Sequence, residues 1–275
     1  MLAPLPEGGF VTGVLKAFNL EWSVKKIIKA CLFKFGIIAM KRSSRVYLPE
    51  DDSYRISTEQ CGRSDPVIID GGAHRGGSVE AFSRYVPQAK FHCFEPDPLL
   101  AKDLTATFSG KPNVRVVMAA LGESKGNASF NINVSRPTNS LLPPGEALQS
   151  DLQLLCKLVE QVEVSILTID DYCQEQALER VDIIKLDLQG YDYKALLGAQ
   201  TTLRGTRVVL IEVLFVEIYK GCNLFPDVLR LMGGLGYTLY TLCGLHYGSH
   251  DELLWADAIF VNGEAHGRAV TLPKS

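Results

Sequence analysis

The sequence predicts an α/β fold built on a seven-stranded, mostly parallel sheet, with helices on both faces and an antiparallel hairpin at one edge. Three features of the chain point there. From residue 66 onward, short β-branched runs alternate with helix-like stretches, which is the rhythm of strand–helix–strand units. The strands read as near-continuous apolar runs, as expected where a strand is covered on both faces. The last two runs follow one another with no helical stretch between them, and only antiparallel neighbours can be joined so closely.

Composition narrows the class further. Of 275 residues, 47% are hydrophobic and 21% charged, a globular balance that excludes a disordered or fibrous chain. The 28 basic and 31 acidic residues leave a formal charge of −3, which argues against a nucleic-acid partner, since phosphate binding favours a basic excess. Seven scattered cysteines form no CxxC pair, so neither a disulfide framework nor a zinc site is signalled, and a reducing compartment fits. The chain shows no signal-peptide pattern and no run of about eighteen apolar residues. A cytoplasmic location is therefore expected.

In chain order, residues 1–49 read as an N-terminal amphipathic helical segment and residues 50–275 as the main domain. Trp22, Val24, Ile27, Ile28, Cys31, Leu32 and Phe35 recur at helical spacing among Lys25, Lys26, Lys29 and Lys34. Such a helix can touch an anionic membrane surface peripherally, self-associate, or pack its apolar stripe on the main domain. Residues 41–65 are polar and irregular and read as a connector. Strands follow over 67–70, 90–95, 114–121, 181–188, 207–213, 238–242 and 257–262, with helices near 78–86, 97–108, 192–203 and 226–235. Residues 133–162 interrupt this rhythm with a Pro-rich stretch and then an amphipathic one (Leu148, Leu152, Leu155, Val159), and are expected to form a substrate lid.

The first strand and its turn, VIIDGGAHRGGSVEAF, carry the strongest signal. A strand ends at Asp70, glycines follow, and a helix starts near Ser78, which can cap it. Glycines there let the chain bend sharply and let a ligand approach the backbone, with helix amides facing its anionic group. A dinucleotide fingerprint would place glycine where Ala73 stands, which counts against an NAD-dependent oxidoreductase. The frame instead reads D-x-G-x-x-x-G through Asp70, Gly72 and Gly76. Asp70 could meet an ammonium and the amides a carboxylate, and S-adenosylmethionine offers both.

The second strand ends in FEPDP and sets Glu95 about twenty residues past the turn, where a carboxylate can accept ribose hydroxyls. Asp97 is better placed than Glu95 to cap the helix that follows. The backbone around Ala120 and Leu121, at the end of the third strand, would flank an adenine. In the fourth strand Lys185, Asp187 and Gln189 alternate at period two and therefore share a face, at the end of the sheet where open α/β folds bind ligands. Asp192 and Glu212 add carboxylates to the same rim.

The sequence resembles the FkbM family of S-adenosylmethionine-dependent methyltransferases. The resemblance rests on DGGAHRGGS (70–78), FEPDP (94–98), ALGESKGNASFNI (120–132), TNSLL (138–142), LTIDDY (167–172), DIIKLDLQGYDYKALLGA (182–199) and LIEV (210–213). It spans roughly 66–262. His74 stands where the family usually has Asn, and Asp192 where Glu is usual. The resemblance implies a class I methyltransferase (Rossmann-like) fold and methyl transfer, most often to a hydroxyl of a sugar or natural product. Asp70, Gly72, Ala73, Gly76, Ser78, Glu95, Pro96, Ala120, Leu121 and Asp187 are then the candidate cofactor contacts. Asn139, Gln189, Asp192 and Glu212 are candidate acceptor contacts.

An alcohol is a weak acid, so methyl transfer to it calls for a base. Asp187 is the first candidate, with Lys185 holding it ionised. His246, just beyond the sixth strand, is a further catalytic candidate. Asp187, Asp192 and Glu212 could converge on magnesium, but no spacing compels it and no metal is expected. A non-catalytic adenosine-cofactor-binding subunit is the alternative, against which the Lys185–Asp187–Gln189 trio speaks.

Overall fold

A computed structural model describes residues 51–146 and 150–263. The N-terminal helical segment, with its expected membrane or self-association role, lies outside the described residues, as does Leu148. Chain order begins with α1 (Asp51–Cys61), β1 (Val67–Gly71), α2 (Gly77–Ser83), β2 (Lys90–Phe94), α3 (Pro98–Phe108) and β3 (Val114–Val117). Next come β4 (Ala120–Leu121), β5 (Gly126–Asn133), α4 (Ser150–Leu155), β6 (Leu158–Leu167), α5 (Ile169–Glu175) and β7 (Ile183–Leu186). The remainder is α6 (Asp192–Leu197), α7 (Gln200–Gly205), β8 (Val208–Leu214), α8 (Phe225–Gly234), β9 (Tyr237–Tyr247) and β10 (Leu253–Asn262).

Seven strands form the main sheet in the order β3-β2-β1-β7-β8-β10-β9. Neighbours from β3 through β8 pair in parallel, and β10 runs antiparallel to both β8 and β9. The predicted edge hairpin is present, with its second strand slotted inside its first. Successive strand residues alternate between two apolar layers: Ile68, Ile183, Val208 and Leu210 face one, and Ile69, Ile184, Val209 and Ile211 the other. That two-sided burial is the physical reason the strands read as unbroken apolar runs. The order reverses between β1 and β7, and ligands of open α/β sheets bind beyond the strand ends at such a point.

Several expectations need correction. Part of the supposed connector is α1, whose Ile56 and Cys61 join the layer containing Phe82 and Phe91. Its buried face also uses Ser53 and Ser57, both fully buried, so its polar sequence conceals an inward-facing helix. The 114–121 run splits, and its last two residues leave the main sheet for a second sheet of order β4-β6-β5. That sheet buries Phe130, Ile132 and Val164, while most of β6 is exposed, which is why its apolar content did not announce it. Residues 133 and 158–162 of the supposed insertion are strand, and exposed Val159 belongs to β6 rather than to an amphipathic helix. The 192–203 helix is two short helices that part at Gly198, where a Cβ would sit 2.1 Å from the Gly122 carbonyl oxygen. No helix among the described residues is long and apolar enough to cross a membrane.

Because α1 is part of the core, truncating it should weaken the whole domain. Ile56→Ala is expected to cost about 2–4 kcal/mol, the usual range for a buried aliphatic cut to alanine. Urea unfolding would show this as a lowered midpoint with an unchanged slope; a midpoint equal to wild type would mean that α1 is only a connector.

Candidate active site

The chain leaves β1 through a turn that the neighbouring strands fix. A Cβ on Gly72 (φ +74°) would lie 2.0 Å from the Asp187 carbonyl oxygen, so only glycine admits this close approach. The Gly72 and Ala73 amides both donate to the Phe94 carbonyl at 3.0 Å, which corrects the expectation that they face a ligand. Helix α2 is capped by Gly76 in the left-handed region, not by Ser78. Ser78 lies inside the first turn and donates its hydroxyl to Asp70. Asp70 is completely buried and ion-pairs with Lys185 Nζ at 3.4 Å, so it anchors that lysine instead of reaching a ligand. Asp70, Ala73, Gly76 and Ser78 line neither of the site's two cavities, whereas Gly72 lines the first.

That cavity opens between the β1 turn, the end of β2, and β4. Gly72, His74, Glu95, Pro96, Ala120 and Leu121 line it, with Phe94, Leu100 and Phe130 on its apolar side. Glu95 accepts the His74 amide on one oxygen at 2.8 Å and the Asp97 amide on the other at 2.9 Å. Burial outweighs these donors and pushes its carboxyl up to about 7. His74, in the left-handed region at φ +50°, keeps its buried Nε2 without a hydrogen-bond partner. Asp97 caps α3 through the Leu99 amide, as expected, and its carboxylate also holds Arg136 and the Asn139 side-chain amide. Asn139 in turn accepts the Asn133 amide at 2.8 Å, so the segment after β5 is tied down across the cavity rim.

At the end of β7 the predicted trio comes together, although the strand stops at Leu186. Lys185 is buried; its Nζ donates to the Gly72 carbonyl at 3.2 Å and lies 3.8 Å from Asp187. Burial works against its charge, but Asp70 and Asp187 outweigh it and raise the ammonium above its usual value. The Gln189 side-chain nitrogen donates to Asp187 at 2.6 Å and to Glu212 at 3.1 Å. Burial, and then the charges of Asp187, Asp192 and Asp257, hold Glu212 well above the ordinary carboxylate range. Asp192 lines neither this cavity nor the one adjoining it: it is buried and accepts the Leu188 and Gly190 amides at 2.9 and 3.2 Å. Burial and then Asp187 push it up to about 7. Its expected acceptor contact is corrected to a role in shaping the turn.

A second cavity adjoins the first. It is lined by Asp187, Gln189, Glu212, Tyr219, His246, Trp255 and Asp257, with Leu152 and Leu155 on its apolar wall. Asp187 and Gln189 line both cavities. His246 stacks on Trp255 with centroids 4.5 Å apart and planes 13° from parallel, and burial lowers its pKa. Among the described residues, no group of three or more His, Cys, Asp or Glu side chains is arranged to hold a metal ion. Sequence reasoning missed Arg136, Tyr219, Trp255 and Asp257, which lie in irregular segments or on the edge hairpin, where no spacing marks them.

Glu95 gives a pH test of this geometry. Its folded-state value of about 7 lies above its ordinary 4.5, so between these pH values the folded chain holds a proton the unfolded chain has released. The Glu95 contribution therefore favours folding at low pH and is lost as pH rises through that window. Glu95→Gln should flatten this part of the stability profile, measured as urea midpoints at pH 5 and pH 8; an unaltered slope would place the carboxyl in water.

Residues 70–239 match the family model described as the methyltransferase FkbM domain. The 2-O-methyltransferase NoeI of Sinorhizobium fredii (strain NBRC 101917 / NGR234) is 28% identical over 172 residues, covering 58% of this chain and 68% of that protein. The methyltransferase sdnD of Sordaria araneosa is 25% identical over 199 residues, covering 64% and 75% respectively. The matched region holds the turn after β1, Glu95, Asn139, the Lys185–Asp187–Gln189 trio and Glu212, and by that match the chain belongs to the FkbM methyltransferase family.

Proposed function

We propose that this chain transfers the methyl group of S-adenosylmethionine to a hydroxyl of a small sugar or natural-product acceptor. The observation that carries this reading is the meeting of two cavities at Asp187 and Gln189. One cavity has the chemistry of an adenosine site: a buried carboxyl, Glu95, set opposite the apolar Ala120, Leu121 and Phe130. The unpartnered Nε2 of His74 leaves a polar atom there for a ligand to satisfy. The cofactor, when bound, supplies an activated methyl group on a sulfonium. Everything else falls to the chain.

Glu95, once ionised, accepts ribose hydroxyls on the lone pairs its two amide donors leave free. Asp187, fixed by Lys185 and Gln189, orients the acceptor hydroxyl and takes its proton. Burial and the neighbouring acids push Glu212 toward its protonated form, which limits the negative charge that faces Asp187. His246 and Trp255 offer a flat wall for the acceptor's ring. Residues within 135–141 line both cavities and α4 lines the second through Leu152 and Leu155, which supports the lid expected from sequence. The naming of NoeI as a 2-O-methyltransferase supports oxygen as the nucleophile. The free cysteines Cys61, Cys93, Cys156, Cys173, Cys222 and Cys243 fit the cytoplasm.

Calorimetry with S-adenosylmethionine, beside NAD, tests the cofactor. Binding of the former is expected, weakened at least about tenfold in Glu95→Ala, the loss of a charge-assisted hydrogen bond. Binding of NAD alone would sink the reading. In wild type, affinity should rise with pH through 7 as Glu95 ionises, and the rise should vanish in Glu95→Gln. Tritiated-methyl transfer to a panel of sugars and glycosides tests Asp187: Asp187→Asn should keep cofactor affinity and lose about 10²-fold or more in turnover. Glu212→Gln, an isostere of the neutral acid, should retain most of the wild-type rate; its failure would mean that Glu212 works ionised.

A further inference from the structure

Gln189 stands in a costly conformation. It is a non-glycine residue at φ +53°, followed by Gly190 at +90°, so two successive left-handed residues turn the chain directly after Leu188. Such a turn persists only where its surroundings over-determine it. The Gln189 carbonyl accepts the Ser140 hydroxyl at 2.7 Å, and the Gly190 amide is held by Asp192. Tyr219, from the loop after β8, completes the support. Its ring lies against Gly190, where an added Cβ would meet ring and side-chain carbons at 3.0 and 3.1 Å, and its hydroxyl donates to Gln189 Oε1 at 2.5 Å.

The hydroxyl holds the same amide from its other end. An amide side chain can present either its oxygen or its NH2 group, and a carboxyl that keeps a proton accepts contact with both ends. Glu212, held toward its protonated form, could meet either end, whereas a flipped oxygen would face Asp187. A donor fixed on the opposite side removes that choice. Resting on the function proposed above, we propose that Tyr219 is a positioning residue for methyl transfer: its hydroxyl locks the Gln189 amide so that its NH2 group stays across Asp187 and Glu212 at the junction of the two cavities.

Tyr219→Phe removes only the hydroxyl and keeps the ring against Gly190. In ¹H–¹⁵N spectra, the Gln189 side-chain amide pair, assigned by its absence in Gln189→Ala, should be sharp and slow to exchange in wild type and broadened in Tyr219→Phe. An unchanged pair would overturn the proposal, and this readout needs neither cofactor nor acceptor. With S-adenosylmethionine and a hydroxyl acceptor that supports transfer, Tyr219→Phe should lower kcat about tenfold, as for one lost hydrogen bond, with both KM values within twofold. A fall in Tm with unchanged kcat would reduce Tyr219 to a structural residue and overturn it. In the Gln189→Ala background the Tyr219→Phe effect should disappear, and an effect that persists would show that Tyr219 does not act through Gln189. A wild type that transfers no methyl group would count against the proposed function, while the amide spectra still decide the lock.

Discussion

The ammonium of Lys185, sealed between the ends of β1 and β7, is the contact on which the rest of the site depends. A buried cation is tolerable only when its charge and its protons are answered. Here Asp70 and Asp187 answer the charge, and the Gly71 and Gly72 carbonyls accept two protons. One side chain thereby fastens the glycine turn, which shapes the first cavity, to Asp187, which faces both. Asp70 belongs to this arrangement as a counter-charge beneath the floor. Removing it would strand a buried positive charge and disturb the turn before any ligand was involved.

Around that anchor, carboxyl groups divide their work by environment. Glu95 is drawn toward neutrality by burial in an apolar slot, although two amides point at it. Asp192 also accepts from two amides, those of Leu188 and Gly190, and is spent on holding the turn after β7. Glu212 is pushed toward its neutral form by burial first and then by the three acids beside it. Asp187 alone among them keeps close contact with the lysine and lies open to both cavities. Four carboxyls of similar chemistry thus acquire separate duties from solvation and from the charges beside them.

The parts of this architecture that sequence exposed share one property: their signal is local. Unbroken apolar runs betrayed the two-sided sheet, and a glycine turn after Asp70 with a carboxylate twenty residues on betrayed the first cavity. Period-two polarity at Lys185, Asp187 and Gln189 brought that trio together even though the strand ends early. What stayed hidden needed tertiary context. Helix α1 buries serines in place of aliphatic residues, and β6 alternates with most of its side chains in water, so neither carries the expected pattern. Asp70 and Asp192 are both buried beside the site, and their partners, and so their roles, are set by an ammonium more than a hundred residues away or by backbone amides. Tyr219 and Trp255 have no motif at all; only the packing of the loop after β8 and the last hairpin brings them to the site.

The position of β10 between β8 and β9 bears on the order in which the molecule can assemble. Most of the first cavity is drawn from residues 72–141, a continuous stretch. The second takes His246, Trp255 and Asp257 from the final hairpin, whose last strand pairs with β8 and carries β9 at the sheet's edge. Contacts between distant chain segments close late, because the entropy of the intervening loop must be spent first. A nascent chain therefore has most of the lining of its first cavity well before that of its second is complete.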